Sequence, residues 1–588
     1  MKNKIKIYFW AVTLIGSCLF TACADMLETD SSRYIDAANK RFDSANDSLY
    51  SLVGILKQLQ PLGEKYVVLG ELRGDLMDVT SRASLNFKAI SNFEFADDNS
   101  YLSDREYYAV INNCNYYLKN VDTTIVSSGN RVMLGEYAAV KAIRAWVYLQ
   151  LGLNYGKAIW FEDPILTVDD MNGKVKTEEI AWEPLLKKLL DDITPYAEIE
   201  YPKYGNVSDR PFTQLIIPNS LLRSDILLWL GATTGSAFYY EEAAAIYYRL
   251  IRENTAAYFL GGGNYLSRYL TVDFQGNTGS YGDMVLADRN ETLSLILYDA
   301  TLEIPTLSKL TLPLTNNDIY YHLKPAQAAI DLWSNEKYFY YVENDREMYY
   351  NRGDLRGFCN VYNDGNNEVK GSYSYYTSDS LPYIAKYSKI SVSGNNENTW
   401  IGNSAFIYRV GTLYLRYAEA LNGMGKPSLA FGILKYGLRK EILNDSTKIS
   451  KDEIPVSPNW YCDFTDDRYS LTGNQTQRGM HRRGSGDIEE DSIYYAFTPE
   501  TLEENLMYYG FPKSLANKND SILFVDAMIC KELGLESAFE GNRFHDLMRF
   551  SIRRGGETFL AKWVGRRNPA LESKLMNRNN WFIPAPKK

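Results

Sequence analysis

Lys531-Glu532-Leu533-Gly534-Leu535-Glu536-Ser537-Ala538-Phe539-Glu540-Gly541-Asn542-Arg543-Phe544-His545-Asp546-Leu547-Met548-Arg549-Phe550 is the most informative stretch of this 588-residue chain. Glu532, Glu536 and Glu540 recur at four-residue steps, which puts them on one helical face. Arg543 and Arg549 bring positive charge close by, and Gly541 permits a turn between two helices. A stripe so regular, with cations this near, points to structural ion pairing rather than acid–base chemistry. The periodicity predicts helix over roughly 521–550.

Moving towards the N-terminus, Tyr414-Leu415-Arg416-Tyr417-Ala418-Glu419-Ala420-Leu421 ends at Asn422-Gly423-Met424-Gly425. Pro427 then opens another helix, at a position where its missing N–H costs nothing. The expected spans are roughly 406–424 and 427–443. Ala418, Ala420, Gly425 and Ala430 resemble the small-residue positions of tetratricopeptide helix pairs, although no strict period carries through. Further helices are predicted at roughly 103–122, 132–154, 183–197, 218–232 and 239–253. In the second of these, Ala138, Ala142, Ala145, Leu149 and Gly152 fall at three- to four-residue steps, which lets a partner helix approach closely. Regions 256–320, 350–404 and 455–500 carry few helical patterns and read as long loops with short strands. Loops of that length in a compact domain are usually functional.

At the other end, Lys2, Lys4 and Lys6 precede the uncharged stretch Ile7–Ala22, which is shorter than the roughly 20 residues of a spanning helix. These features describe a secretory signal peptide over residues 1–22. The exit Leu19-Phe20-Thr21-Ala22-Cys23 resembles a bacterial lipobox, making Cys23 the expected lipidation site and the lipid the membrane anchor. Net charge is −10 and becomes more acidic once the three lysines leave, which argues against nucleic-acid binding. Cys114, Cys359, Cys462 and Cys530 form no C-x-x-C motif, and most are expected to be buried free thiols.

These motifs, in this order, resemble the SusD/RagB family. Its C-terminal signature is a glutamate helix, then E-G-x-R, then D-L-x-R, as in 531–550. Ala142-Ile143-Arg144-Ala145-Trp146-Val147-Tyr148-Leu149 resembles its R-A-aromatic-x-Y helix, with Ala139 where a glutamate is common. Residues 406–443 resemble its Y-A-E-A pair, with Tyr436 where an asparagine often precedes Arg439. Trp581-Phe582-Ile583-Pro584-Ala585-Pro586 resembles its terminal I-P segment. The resemblance implies a mostly α fold, with tetratricopeptide-like helix pairs packed against a loop-rich half with short strands. It implies one domain over 23–588, with an N-terminal half to about 255 and a C-terminal half from about 256. It further implies a non-enzymatic lipoprotein, exposed on the outer membrane, that captures oligosaccharide or peptide for a SusC-like TonB-dependent β-barrel. Asp25, Glu28 and Asp30 fit the family's surface-export pattern, whereas Ala24 directly after Cys23 does not.

Ligand-facing candidates come from two places. Glu71-Leu72-Arg73-Gly74-Asp75-Leu76-Met77-Asp78 sets Arg73 among carboxylates, and Arg73, Asp75 and Asp78 can hydrogen-bond vicinal hydroxyls or a peptide terminus. The same residues would also serve as a local salt bridge supporting the turn. Among the 47 tyrosines and 10 tryptophans, Tyr373, Tyr375, Tyr376 and Trp400 lie in predicted loops, where an aromatic face can meet a sugar or peptide. Helix aromatics such as Trp146 and Trp229 read as core. His322, His481 and His545 are scattered without H-E-x-x-H, and G-x-S-x-G is absent, so neither a zinc nor a serine hydrolase is indicated. No cofactor or metal is expected. Gly484–Asp491 can offer calcium oxygen ligands, but without EF-hand spacing. The alternative class is a surface adhesin or scaffold subunit that binds a partner protein.

Overall fold

The computed structural model describes residues 44–127, 130–207, 210–253, 291–298, 307–311, 320–343, 346–350 and, between 353 and 401, short strands with a few flanking residues. It continues with 404–456, 460–470, 477–486, 488–505 and 510–584. Helices dominate. The N-terminal part contains α1 (Ala45–Gln58), α2 (Gln60–Glu71), β1 (Met77–Val79), α3 (Leu85–Ser91), α4 (Arg105–Asn120) and α5 (Leu134–Tyr155). It continues through α6 (Trp182–Ile193), α7 (Asn219–Thr234) and α8 (Ala237–Glu253).

Neighbouring helices pack in sequence order, α4 on α5, α5 on α6, α6 on α7 and α7 on α8. Glycine makes two of these approaches possible. A Cβ on Gly152 of α5 would stand 2.5 Å from the Trp182 ring of α6, so only glycine admits the indole there. Tyr240 of α8 is wedged between Gly231 of α7 and Gly423 further on, where a Cβ would sit 2.8 and 2.4 Å from its ring. This is the close stacking of helix pairs that the small-residue spacing predicts.

The C-terminal part begins with β2 (Thr292–Leu297), β3 (Leu323–Pro325), α9 (Gln327–Ser334), β4 (Tyr338–Glu343) and β5 (Arg346–Tyr350). Then come β6 (Tyr373–Tyr375), β7 (Pro382–Ile384), β8 (Ser388–Ser393), β9 (Asn396–Ile401) and β10 (Ser404–Arg409). The remaining helices include α10 (Val410–Gly423), α11 (Pro427–Lys435), α12 (Lys440–Asn444), α13 (Lys518–Ser537), α14 (Arg543–Arg553), α15 (Thr558–Arg567) and α16 (Ala570–Leu575). Strands pair two by two: β1 with β3, β2 with β10, β4 with β5, β6 with β7, and β8 with β9, all antiparallel.

Three helix spans differ from expectation. Residues 406–409 are not helix but the end of β10, where Phe406 and Tyr408 pair against β2, Ile407 sits at the register shift between them, and all three are buried. The span 427–443 divides into α11 and α12 at Gly437, which has φ +74° and lies against the Gln477 backbone. The span 521–550 is α13 and α14, joined through Phe539 at φ 71° and Gly541 at φ 98°.

The glutamate stripe is the electrostatic keystone of the C-terminal part. Glu532 takes Arg356 at 2.6 Å and His481 Nδ1 at 2.8 Å. Glu536 meets Arg409 at 3.1 Å and Arg356 at 3.2 Å. Glu540 meets Arg409 at 2.8 Å and Lys386 at 2.5 Å. All these groups are buried, so the stripe is structural, although α13 ends at Ser537 and Glu540 lies in the turn beyond it rather than on the helical face. One apolar core runs from Leu52 to Ile583 and draws on both parts. Cys114, Cys462 and Cys530 are buried free thiols, as expected, and burial pushes each up to about 12. Cys359 and Cys23 lie outside the described residues.

Candidate functional site

The segment after α2 divides at Leu76. Arg73 and Asp75, expected at a ligand, are fully buried. Arg73 donates through Nε to the Leu69 carbonyl at 2.8 Å, through Nη1 to the Trp581 carbonyl at 3.0 Å, and through Nη2 to Asn154 Oδ1 at 2.5 Å. Nη2 also reaches His545 Nε2 at 3.1 Å. Burial lowers the guanidinium to about 9. Burial also keeps the His545 ring neutral, reinforced by Arg73 and Arg549, so its nitrogen can accept from Arg73. Asp75 receives Arg543 at 2.6 and 3.1 Å. Neither side chain reaches solvent, so both are corrected from ligand contacts to internal struts. Their charges are satisfied by parts of the chain that lie far away in sequence.

Asp78 is different. It lies on β1 opposite Lys324 of β3, its side chain 33% exposed and 3.6 Å from Arg567. β7 packs beside β3, and β7 pairs with β6, placing Tyr373 opposite Ile384 and Tyr375 opposite Pro382. Asp78, Tyr373 and Tyr375, about three hundred residues apart in the chain, therefore belong to one strand shelf in the order β1, β3, β7, β6. Tyr376 lies outside the described residues. Trp400 is on β9, opposite Lys389, in a separate two-stranded ribbon.

Several residues that build the shelf were not anticipated. The Thr80 N–H donates to the His322 carbonyl at 2.9 Å and its hydroxyl to the Tyr321 carbonyl at 2.5 Å, extending the β1–β3 pairing. Tyr321 donates its hydroxyl to the Pro382 carbonyl at 2.6 Å, tying β3 to β7. Arg567 of α15 donates to the Gly74 carbonyl at 2.8 Å and the Ser91 carbonyl at 2.9 Å, holding β1 and α3 in place. The tandem Tyr320-Tyr321-His322 between loop-like stretches was the available signal for the first two. Arg567 offered none, because its partners lie almost five hundred residues away. In the segment that follows Asp78, Arg82, Asp97 and Asp98 are exposed, as is Leu85 at 82%. Exposed carboxylates, a guanidinium and an aliphatic side chain in one segment suit a polar, flexible molecule with some apolar surface.

In the Gly484–Asp491 segment, Glu489 is paired with Arg439 at 2.6 Å. Asp491 accepts the N–H groups of Ile493, Tyr494 and Tyr495 at 2.8 to 3.0 Å. Asp487 lies outside the described residues. Among the described residues no cluster of three His, Cys, Asp or Glu is placed to hold a metal ion.

No family model and no curated protein matches the chain. Solved structures do. A SusD superfamily protein from Bacteroides vulgatus superposes with TM-score 0.58 at 14% identity, covering 93% of this chain and 97% of the other. One from Bacteroides thetaiotaomicron gives 0.54 at 15% identity, with 93% and 96% covered. Surface glycan-binding protein A from Bacteroides uniformis gives 0.50 at 15% identity, with 86% and 88% covered. The chain thus has the fold of the SusD superfamily, a mostly helical scaffold of tetratricopeptide-like pairs bearing short strand ribbons.

Proposed function

We propose that this protein is a non-enzymatic surface lipoprotein that captures an oligosaccharide, or a peptide, and delivers it to a SusC-like TonB-dependent outer-membrane transporter. The observation that carries the reading is the shelf. On a scaffold shared with a surface glycan-binding protein, the fold gathers Asp78, Tyr373 and Tyr375 from remote segments onto one strand neighbourhood. The lipobox-like Leu19–Cys23 supports anchoring through Cys23 at the outer membrane, facing outwards.

The test is calorimetric titration of the chain lacking residues 1–23 against polysaccharides, oligosaccharides and mixed peptides. Saturable binding to one class is expected, with Asp78→Ala raising Kd roughly tenfold or more, the scale of a hydrogen bond to a charged group. Binding to peptides alone would assign the peptide branch. Silence towards both classes would turn the reading to its alternative, a scaffold or adhesin subunit. That alternative is favoured by exposed apolar Leu166, Val168 and Met171, a short patch suited to protein contact.

A further inference from the structure

Away from the shelf, an open groove runs along one side of α8. Glu242, Ala245, Ile246, Arg249, Arg252 and Glu253 fall at three- to four-residue steps, which places them on one helical face, and all six line the groove. Trp460 and Arg468 line it too. A second lobe continues past the Ala197–Tyr201 turn and the start of α7. The lobes share Glu198, Arg249 and Glu253, and each encloses about 630 Å³, within the ~300–1,000 Å³ of ligand sites.

The chemistry of the groove narrows its ligand. Its four arginines are matched in advance: Arg249 with Glu198 at 2.6 Å, Arg223 with Glu242 at 3.6 Å, Arg252 with Asp463 at 3.4 Å and Arg468 with Asp466 at 3.1 Å. An anionic ligand would have to break such pairs. A neutral polyol would not, because each pair sets N–H donors beside carboxylate acceptors at the spacing of adjacent hydroxyls. Trp460, 42% exposed, adds a flat apolar face for the C–H side of a sugar ring. Two contiguous lobes suit a chain of units better than one unit.

We propose that this groove is a second ligand site, distinct from the shelf, that holds a linear neutral oligosaccharide across both lobes. Among the described side chains, neither Asp78 nor any residue of β1 or β3 lines it, so the two sites are tested separately. The test is hydroxyl-radical footprinting of the full chain carrying Cys23→Ala. The probes are hexasaccharides of α-1,4-glucan, β-1,4-glucan and β-1,4-mannan, their disaccharides, and oligogalacturonate. At least one neutral hexasaccharide is expected to protect Trp460, its disaccharide less so, and Asp78→Ala should leave that protection intact. Trp460→Ala should weaken binding at this site roughly three- to tenfold, with Trp460→Phe retaining most of it. Protection by oligogalacturonate alone would overturn the proposal. So would calorimetric glycan binding with unchanged Trp460 oxidation, which leaves capture at the shelf standing. Absence of protection by every neutral oligosaccharide overturns it too.

Discussion

Arg73 shows how far a single charged side chain can be from the role its neighbours suggest. Its partners are neutral: two carbonyls, an amide oxygen and an imidazole nitrogen. Truncation strips those acceptors of their donor and opens a cavity, so Arg73→Ala should lower unfolding free energy by about 3 kcal/mol or more in urea titrations. Asp78→Ala, on a partly exposed strand, should stay within about 1 kcal/mol; equal losses would contradict the division drawn at Leu76. Glu71 supplies a pH signature. Its carboxylate accepts the N–H groups of Phe539 at 2.9 Å, Gly541 at 2.7 Å and Arg543 at 3.3 Å. Burial nevertheless raises it from 4.5 to about 7, with these amides and Arg543 pulling the other way. The folded state therefore keeps a proton that the unfolded chain releases near 4.5, and this group's contribution falls as pH rises through about 7. The loss is on the order of 3 kcal/mol, and Glu71→Gln should flatten the stability profile across that window. The same slope in both proteins would sink the assignment. At this scale the sequence was readable where charge repeats locally, as in Glu532, Glu536 and Glu540. It was unreadable for Arg73, whose Trp581 partner is 508 positions away.

Among elements, the α13–α14 junction is the most demanding. Gly541 holds φ 98°, and a Cβ there would lie 2.6 Å from the Tyr66 ring. Gly541→Ala combines left-handed strain with overpacking, and a cost of about 2–5 kcal/mol is expected by thermal or urea unfolding. A change below about 0.5 kcal/mol would mean the junction relaxes freely. Along α13, burial works to raise the Glu532 carboxyl, but Arg356 and His481 outweigh it and hold it at about 2. Its contribution is present above the ordinary 4.5 and is lost as pH falls from there towards 2. An acid-unfolding midpoint in Glu532→Gln unchanged from wild type would argue against this. Amphipathic period located α4, α6 and α8, which bury one face, whereas α5 and α7 are buried nearly all round and were found by their alanine and leucine content. It failed at Ser404–Arg409, where the chain passes from strand straight into helix while staying buried all round, so no change of pattern marks the boundary. The shelf was half legible for a related reason. Asp78, Tyr373 and Tyr375 were visible as residue types, whereas the β3–β7 contact that unites them depends on tertiary packing alone.

Across the whole molecule, the described core residues from Leu52 to Ile583 form one cluster that draws on both halves. Calorimetry should show one transition with calorimetric and van't Hoff enthalpies in agreement; two resolved transitions would mean that 23–255 and 256–588 fold as separate units. Cooperativity of this kind has a cause in where the chain comes to rest. The Trp581 carbonyl completes Arg73, and the Ile583 N–H binds the Asn154 carbonyl at 2.8 Å. Synthesis and secretion deliver a polypeptide in order, so α2 and α5 emerge long before the turn that seals them. Helices α2 and α5 are thus finished by residues that follow them by hundreds of positions, and the chain closes like a clasp. A product cut short before Asn577 lacks that clasp, and limited proteolysis is expected to cut it faster than the chain that carries Trp581 and Ile583.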